Sequence, residues 1–422
     1  MGGKTIGIRK EALIVCGVLM VGFLFRIFLI STFPQPMIFD QEEYEAYARR
    51  IYDAPLMLAS HSYRPFPYPL MVATIYKVFG LGNHNAVFVV QALLDTSVGL
   101  FLYLLLQRSG KFGGARWLGL ALYSLNPFTA AYTGVILSEI LSTWLIAATL
   151  VVGVGFIKRP GLSRGVLLGL MVTLAAETRL AAFLWAIIPI ALTLFWVWWK
   201  RHKVVYLGVL AGIALVVWYP LWVNARDFGQ PSLTMVDNIF IKELFIGALT
   251  HRLKPFDGTY PPDVQYLYRE YYTELHPGRT ASDRQDMAQK YRDKLVARVA
   301  GDPIGYLVMR LQKIGYLWHT DVLFPYKETG WEWHRPFTFY GNLIVLIAAV
   351  IGLVTMRAVS VGWFRWLRAT MVVSLIYATA SLSLTIAEHR LTIPFYPIIL
   401  LSASIGFFDV WQRIVHRISS AR

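Results

Sequence analysis

Of the 422 residues 56% are apolar and only 15% charged, with mean hydropathy +0.50, which excludes a soluble globular domain, since one of this size keeps a polar shell. The net charge of +15 would suit a nucleic-acid binder, but six short acid-free stretches (4–10, 108–116, 158–164, 200–203, 357–368 and 413–422) hold 18 of the 40 basic residues, leaving 22 basic against 25 acidic elsewhere. That is orientation charge; it places the six stretches in the cytoplasm and needs no nucleic-acid surface.

The first predicted element is a membrane span over 12–32, too long for a signal-peptide core and followed by no small-residue cleavage site. Arg26 interrupts it and is expected to snorkel or to pair inside the bundle. Cys16, the single cysteine, excludes a disulfide within the chain and any cysteine-based metal site.

A first outer loop, 33–83, follows. In FDQEEYEAYAR, Asp40 reads as a helix N-cap with Glu43 completing a capping box. Tyr44, Tyr47, Ala48 and Ile51 make one apolar stripe, and Glu45 pairs with Arg49 one turn on. YRPFPYPL then alternates prolines at 65, 67 and 69, which predicts a stiff extended piece and a short helix from Pro69 to Gly80.

Further spans are predicted at 84–106, 115–133, 137–157, 164–178, 180–199 and 204–222. Asp95, inside the first of these, needs a buried partner. The run 164–199 is split at Glu177-Thr178-Arg179, because a charged pair belongs at an interface rather than at the bilayer centre. A second outer loop, 223–336, contains a helix over 303–318 that lies on or enters the interface, with Ile304, Leu307, Val308, Leu311 and Ile314 at helical spacing and Arg310 and Lys313 between. Spans at 337–356, 368–385 and 394–411 complete the chain. Ten crossings from a cytoplasmic N-terminus return the C-terminus to the cytoplasm and put all six basic stretches inside. The expected fold is all-α and polytopic, in three parts: 1–222, 223–336 and 337–422.

Ionisable residues at the outer ends of spans are the functional candidates, since lipid tolerates them only beside a cavity, a partner or water. They are Asp40, Arg64, Glu139, Glu177, Arg179, Arg226, Glu388, His389 and Arg390. A layer rich in both signs suits a reaction in which a proton is removed while an anion departs.

The fragments FDQEEYEAYAR, YRPFPYPLMVATIYKVFG, LNPFTAAYTGVILSEIL, ETRLAAFLWAIIPI, DPIGYLVMRLQKIGYLW and EHRLTIPFYPIILLSASIG occur in that order. Together they resemble the landmarks of the GT-C glycosyltransferases, which use polyprenyl-phosphate sugar donors and include the protein O-mannosyltransferases and the lipid A aminoarabinose transferases. The resemblance implies about ten transmembrane helices, interfacial helices in two long outer loops, and an inverting sugar transfer on the outer face of what is expected to be a bacterial inner membrane. It implies that Asp40 is the catalytic base, with Glu139 at the family's second outer carboxylate, open to orienting the acceptor, supporting Asp40 or helping to hold a metal. A departing lipid phosphate needs fixed cations rather than a general acid, and Arg390, Arg64 and Arg179 are the candidates. Tyr44, Tyr68, Glu388 and His389 are candidate donor or acceptor contacts.

Many relatives carry two adjacent acids in the first loop; here Asp40 is followed by Gln41, which weakens the claim of that position to a divalent metal. The expected partners are the lipid-linked donor, a lipid, glycan or protein acceptor, and membrane lipid; no other cofactor is implied, and no nucleotide cradle is evident. Two competing readings are a flippase of lipid-linked sugars and an oligosaccharide ligase or polymerase using a lipid diphosphate. Paired repeats with broken helices would mark the first, and cations for two phosphates the second.

Overall fold

A computed structural model describes residues 2–59, 64–199, 205–229, 231–233, 239–249, 281–318, 323–326, 334–385 and 389–420. Among these the secondary structure is helical, without strands. The helices are α1 (Gly2–Thr32), α2 (Asp40–Asp53), α3 (Pro67–Phe79), α4 (His84–Gln107), α5 (Ala115–Ser124), α6 (Pro127–Ala130), α7 (Glu139–Lys158), α8 (Leu162–Thr178) and α9 (Leu180–Phe183). After them come α10 (Ile187–Trp199), α11 (Val205–Phe228), α12 (Ile239–Leu249), α13 (Ala281–Gly301), α14 (Pro303–Trp318), α15 (Arg335–Thr355), α16 (Gly362–Leu382) and α17 (Tyr396–Ser420).

Among the described residues six helical segments are long and apolar enough to cross a membrane: Arg9–Thr32, His84–Gln107, Glu139–Lys158, Tyr206–Asp227, Arg335–Ala358 and Arg390–Ser420. The other four predicted crossings are helices that are shorter or less apolar. The span expected at 115–133 stops at Ser124, because Pro127 lacks an N–H and steers the residue before it out of helical geometry, while Asn126 accepts the Phe128 N–H at 3.1 Å. The span expected at 180–199 is interrupted by a 3₁₀ turn at Leu184–Ala186, leaving the 13 residues of α10. Helix α8 ends at Thr178 with Arg179 extended, as its charges predict, after 17 residues. Helix α16 has 21 residues but carries Arg365 and Arg368.

Glycines set the closest helix crossings, since lipid-like surroundings supply no hydrophobic drive and backbones must approach for dispersion contact. A Cβ on Gly169 of α8 would strike the Val209 carbonyl of α11, and one on Gly212 would strike the Val166 carbonyl of α8. Gly352 and Gly406 do the same for α15 against α17.

The predicted partner of Asp95 is Arg26, and both are fully buried. Arg26 donates its Nε to Asp95 at 2.7 Å and its other nitrogens to the carbonyls of Gly22, Ser124 and Tyr123, while the Tyr123 hydroxyl donates to the second Asp95 oxygen at 2.7 Å. Charge and hydrogen-bonding capacity are thereby met in one network that joins α1 to α4 and α5.

Polarity divides along the bundle. At one end Glu11 of α1 pairs with Arg116 of α5 at 3.2 Å, Phe112 stacks on Phe364, Lys158 lies 4.1 Å from the Trp363 ring, and Thr355 of α15 meets Asp409 of α17. Elements carrying five of the six basic stretches converge there; the stretch 200–203 lies outside the described residues.

Helix α14 forms over the predicted residues, with its charge turned inward. Ile304, Leu307, Val308 and Leu311 are exposed, whereas Arg310 and Lys313 are buried. Helix ends leave carbonyls without intrahelical partners and attract cations. Lys313 donates to Gly247 near the end of α12 and to Thr385 at 2.8 Å beyond α16, and Arg310 donates to Ser383 and to the Tyr306 hydroxyl.

Two predictions follow from these buried charges. Arg26→Met strands a buried carboxylate and is expected to lower stability by about 3–5 kcal/mol, with Arg26→Met/Asp95→Leu recovering most of it in detergent melting experiments. Burial, then the neighbouring Arg310, brings the Lys313 amine down to about 7. The unfolded chain then binds more protons between about pH 7 and 10, so stability should rise with pH through that window. In Lys313→Met this rise should be absent when melting is followed from pH 7 to 9.5.

Candidate functional site

The site lies at the end of the bundle away from the basic stretches, where α2, the start of α7, the end of α8 and the approach to α17 meet. Helix α2 forms in the expected stretch, and its stripe of Tyr44, Tyr47, Ala48 and Ile51 is buried, with the Glu45–Arg49 pair formed at 2.8 Å. Its start corrects the sequence reading. Asp40 is the first helical residue rather than the cap, and the residue before it, Phe39, has φ 56° and no side-chain cap bond. The two carboxylates meet arginines instead: Arg64 pairs with both Asp40 and Glu43, and Arg390 with Asp40. Helix α3 starts at Pro67, two residues earlier than predicted, and ends against Gly80, whose φ of 101° suits glycine alone.

Gln41 fixes the angle of the α2 start. Its amide donates to the Pro36 carbonyl at 2.7 Å and accepts the Ile136 N–H at 2.9 Å. A carboxylate could still accept from Ile136 but could not donate to Pro36, so an acid could not make both contacts.

Asp40 is held from two sides. Arg64 Nη2 donates to one carboxylate oxygen at 2.6 Å, and Arg390 Nη1 donates to the other at 2.9 Å. Arg64 also donates its Nε to Glu43 at 2.8 Å, and Arg390 Nη1 lies 3.4 Å from the Tyr326 hydroxyl. Burial works to raise the Asp40 carboxyl, but the guanidiniums of Arg390 and Arg64 outweigh it and hold the group well below the usual carboxylate range. Burial likewise opposes the Arg64 charge, yet Asp40, Tyr44 and Glu43 leave it raised.

A second pair lies beside the first. Glu139, first residue of α7 and 1% exposed, meets Arg179 Nη1 at 2.7 Å. The approach is close but not aligned, so both Glu139 oxygens and Arg179 Nε are buried without a hydrogen bond. Ser138 joins the two pairs: its Oγ lies 3.0 Å from the Tyr44 hydroxyl and 3.4 Å from Arg179 Nη1. The Tyr44 ring sits under the Arg64 guanidinium, 5.0 Å from centroid to carbon, where the ring face attracts the cation. Residues from five separate parts of the chain thus form one contact path: Arg390, Asp40, Arg64, Tyr44, Ser138, Arg179, Glu139.

Other sequence candidates are placed differently. Tyr68 packs edge-on to Tyr44 at 5.2 Å but is wholly buried, and its hydroxyl is donated to Gln91 at 2.8 Å. It supports the floor of the site. Arg226 pairs with Asp227 and donates to the Ala59 carbonyl at 3.1 Å, bracing the first loop. Glu177 is buried at the end of α8. His389 opens the 3₁₀ segment His389–Phe395, and its side chain, like the whole of Glu388, lies outside the described residues. Three participants escaped the sequence reading. Glu43 reads in the sequence as part of a capping box, and Ser138 and Tyr326 carry no charge that would mark them.

A divalent cation does not fit these residues. Among the described residues no group of three or more His, Cys, Asp or Glu is placed to hold one, both Asp40 oxygens are already bound by arginine, and the neighbouring position is a structural amide. Comparisons with protein-family models and with curated proteins find no match for this chain.

Gln41→Glu would supply the second acid of the first loop. It is expected to cost about 1–3 kcal/mol in a melting experiment, through loss of the donor to Pro36, and to bring no metal dependence of stability.

Proposed function

We propose that the chain is an integral-membrane inverting glycosyltransferase of the GT-C type, which moves a sugar from a polyprenyl-phosphate donor to an acceptor hydroxyl on the non-cytoplasmic side. The observation that carries this reading is the 2.9 Å contact between Asp40 and Arg390. They are 350 residues apart in sequence, yet they meet at the end of the bundle opposite the basic stretches. With those stretches in the cytoplasm, the contact faces outward, where a lipid-linked donor presents its sugar. The four shorter or interrupted helices complete the ten crossings of this reading, and the exposed apolar face of α14 lies against the outer leaflet.

In the proposed reaction the acceptor oxygen bonds to the anomeric carbon as its proton passes to Asp40. The bond from that carbon to the phosphate oxygen breaks, and its electron pair leaves with the phosphate. The attack comes from the face opposite the leaving group, so the anomeric configuration inverts. While both arginines hold it the carboxylate is a weak base, so proton transfer to it needs a hydroxyl made acidic by bond formation or a loosening of that grip. Arg390 and Arg64 receive the departing anion in a setting of low dielectric, where fixed cations count for more than in water. Glu139 has open acceptor positions for a hydroxyl of the incoming molecule, and Arg179 holds its charge in place.

The test is transfer by purified protein from a panel of labelled polyprenyl-phosphate sugars to membrane extracts, with identification of the product. Asp40→Asn is expected to lower transfer by about 10²–10⁴-fold without loss of folded protein. Near-normal turnover, or retention of configuration in the product, would overturn the mechanism.

A further inference from the structure

Among the described residues, two carboxylates, Asp40 and Glu43, meet two guanidiniums, Arg64 and Arg390, at this place. Each Asp40 oxygen accepts from a different arginine. Two guanidiniums converging on two oxygens of one small anion are also what a phosphate monoester or diester requires. Both arginines have a second partner that does not depend on Asp40: Arg64 has Glu43 and the Tyr44 ring, and Arg390 has the Tyr326 hydroxyl. The clamp can keep its shape when the carboxylate leaves it.

We propose that in the free protein Asp40 occupies the anion position between Arg64 and Arg390, and that the phosphate of the lipid donor takes this position over, releasing the Asp40 carboxylate to receive a proton. This rests on the reading of the two arginines as donor-phosphate ligands. A carboxylate with both oxygens in charge-assisted bonds is a poor proton acceptor, and Asp40 is held well below its ordinary range in this arrangement. The phosphodiester of the donor presents two non-bridging oxygens that share one negative charge, as the carboxylate does, so it suits the same two arginines. The exchange orders the reaction. Without donor the base is masked, so an acceptor hydroxyl or water arriving first meets no active carboxylate. Once the donor is seated, the base is free beside the sugar it serves.

Removing the resident anion should strengthen donor binding even as it lowers transfer. The experiment measures binding of decaprenyl phosphate to the full chain in lipid nanodiscs for wild type, Asp40→Asn and Arg390→Ala, with melting curves to verify folding. Asp40→Ser, which removes the same charge, gives the reading if the amide variant fails to fold. Asp40→Asn should bind about tenfold more tightly than wild type, which corresponds to about 1.4 kcal/mol, and Arg390→Ala more weakly. If wild type binds and neither Asp40 variant binds more tightly, the exchange is overturned while the glycosyltransferase reading stands. If no form binds decaprenyl phosphate, the donor assignment fails and the exchange with it.

Discussion

A charge removed from water must find an opposite charge or a set of hydrogen bonds, and this molecule is organised around that demand. Its central instance is the double grip of Arg64 and Arg390 on Asp40. One arginine comes from the first loop and the other from the approach to the last helix, so closing the grip brings an early and a late part of the chain together at one face. The pairing of Glu139 with Arg179 brings α7 and the end of α8 to the same place, and Ser138 and Tyr44 connect the two pairs.

The same demand is met differently elsewhere. Arg26 and Asp95 lie wholly within the bundle, and every arginine nitrogen among their contacts goes to a carboxylate or a helix carbonyl. That network is saturated and holds helices in register. Arg310 and Lys313 are buried against carbonyls at helix ends. The outer site is not saturated: Glu139 keeps two oxygens without hydrogen bonds, and the Asp40 cluster is partly open to its surroundings. Satisfied buried charge builds structure, and incompletely satisfied charge at an edge is what a ligand can use.

Local rules succeeded in the sequence where local forces act alone. The stripe of α2, the Glu45–Arg49 pair, the break before Arg179 and the bounds of α14 all follow from spacing and helix chemistry. The N-cap reading of Asp40 failed because it assumed that no distant group competes for the carboxylate. The helix expected over 115–133 is interrupted because hydropathy does not register that Asn126-Pro127 ends a helix. The facing of α14 was hidden because its cations meet carbonyls on α12 and beyond α16, which no periodicity within the helix reveals.

Composition and charge placement therefore determined by themselves that the chain is helical and apolar enough for a bilayer, and which residues could not rest in lipid unpaired. Residue type is enough for those statements, because transfer free energy belongs to the side chain. Which carboxylate meets which arginine was decided only by the tertiary structure. An ion pair between residues 350 apart depends on the path of every helix between them, and spacing along the chain carries no record of it.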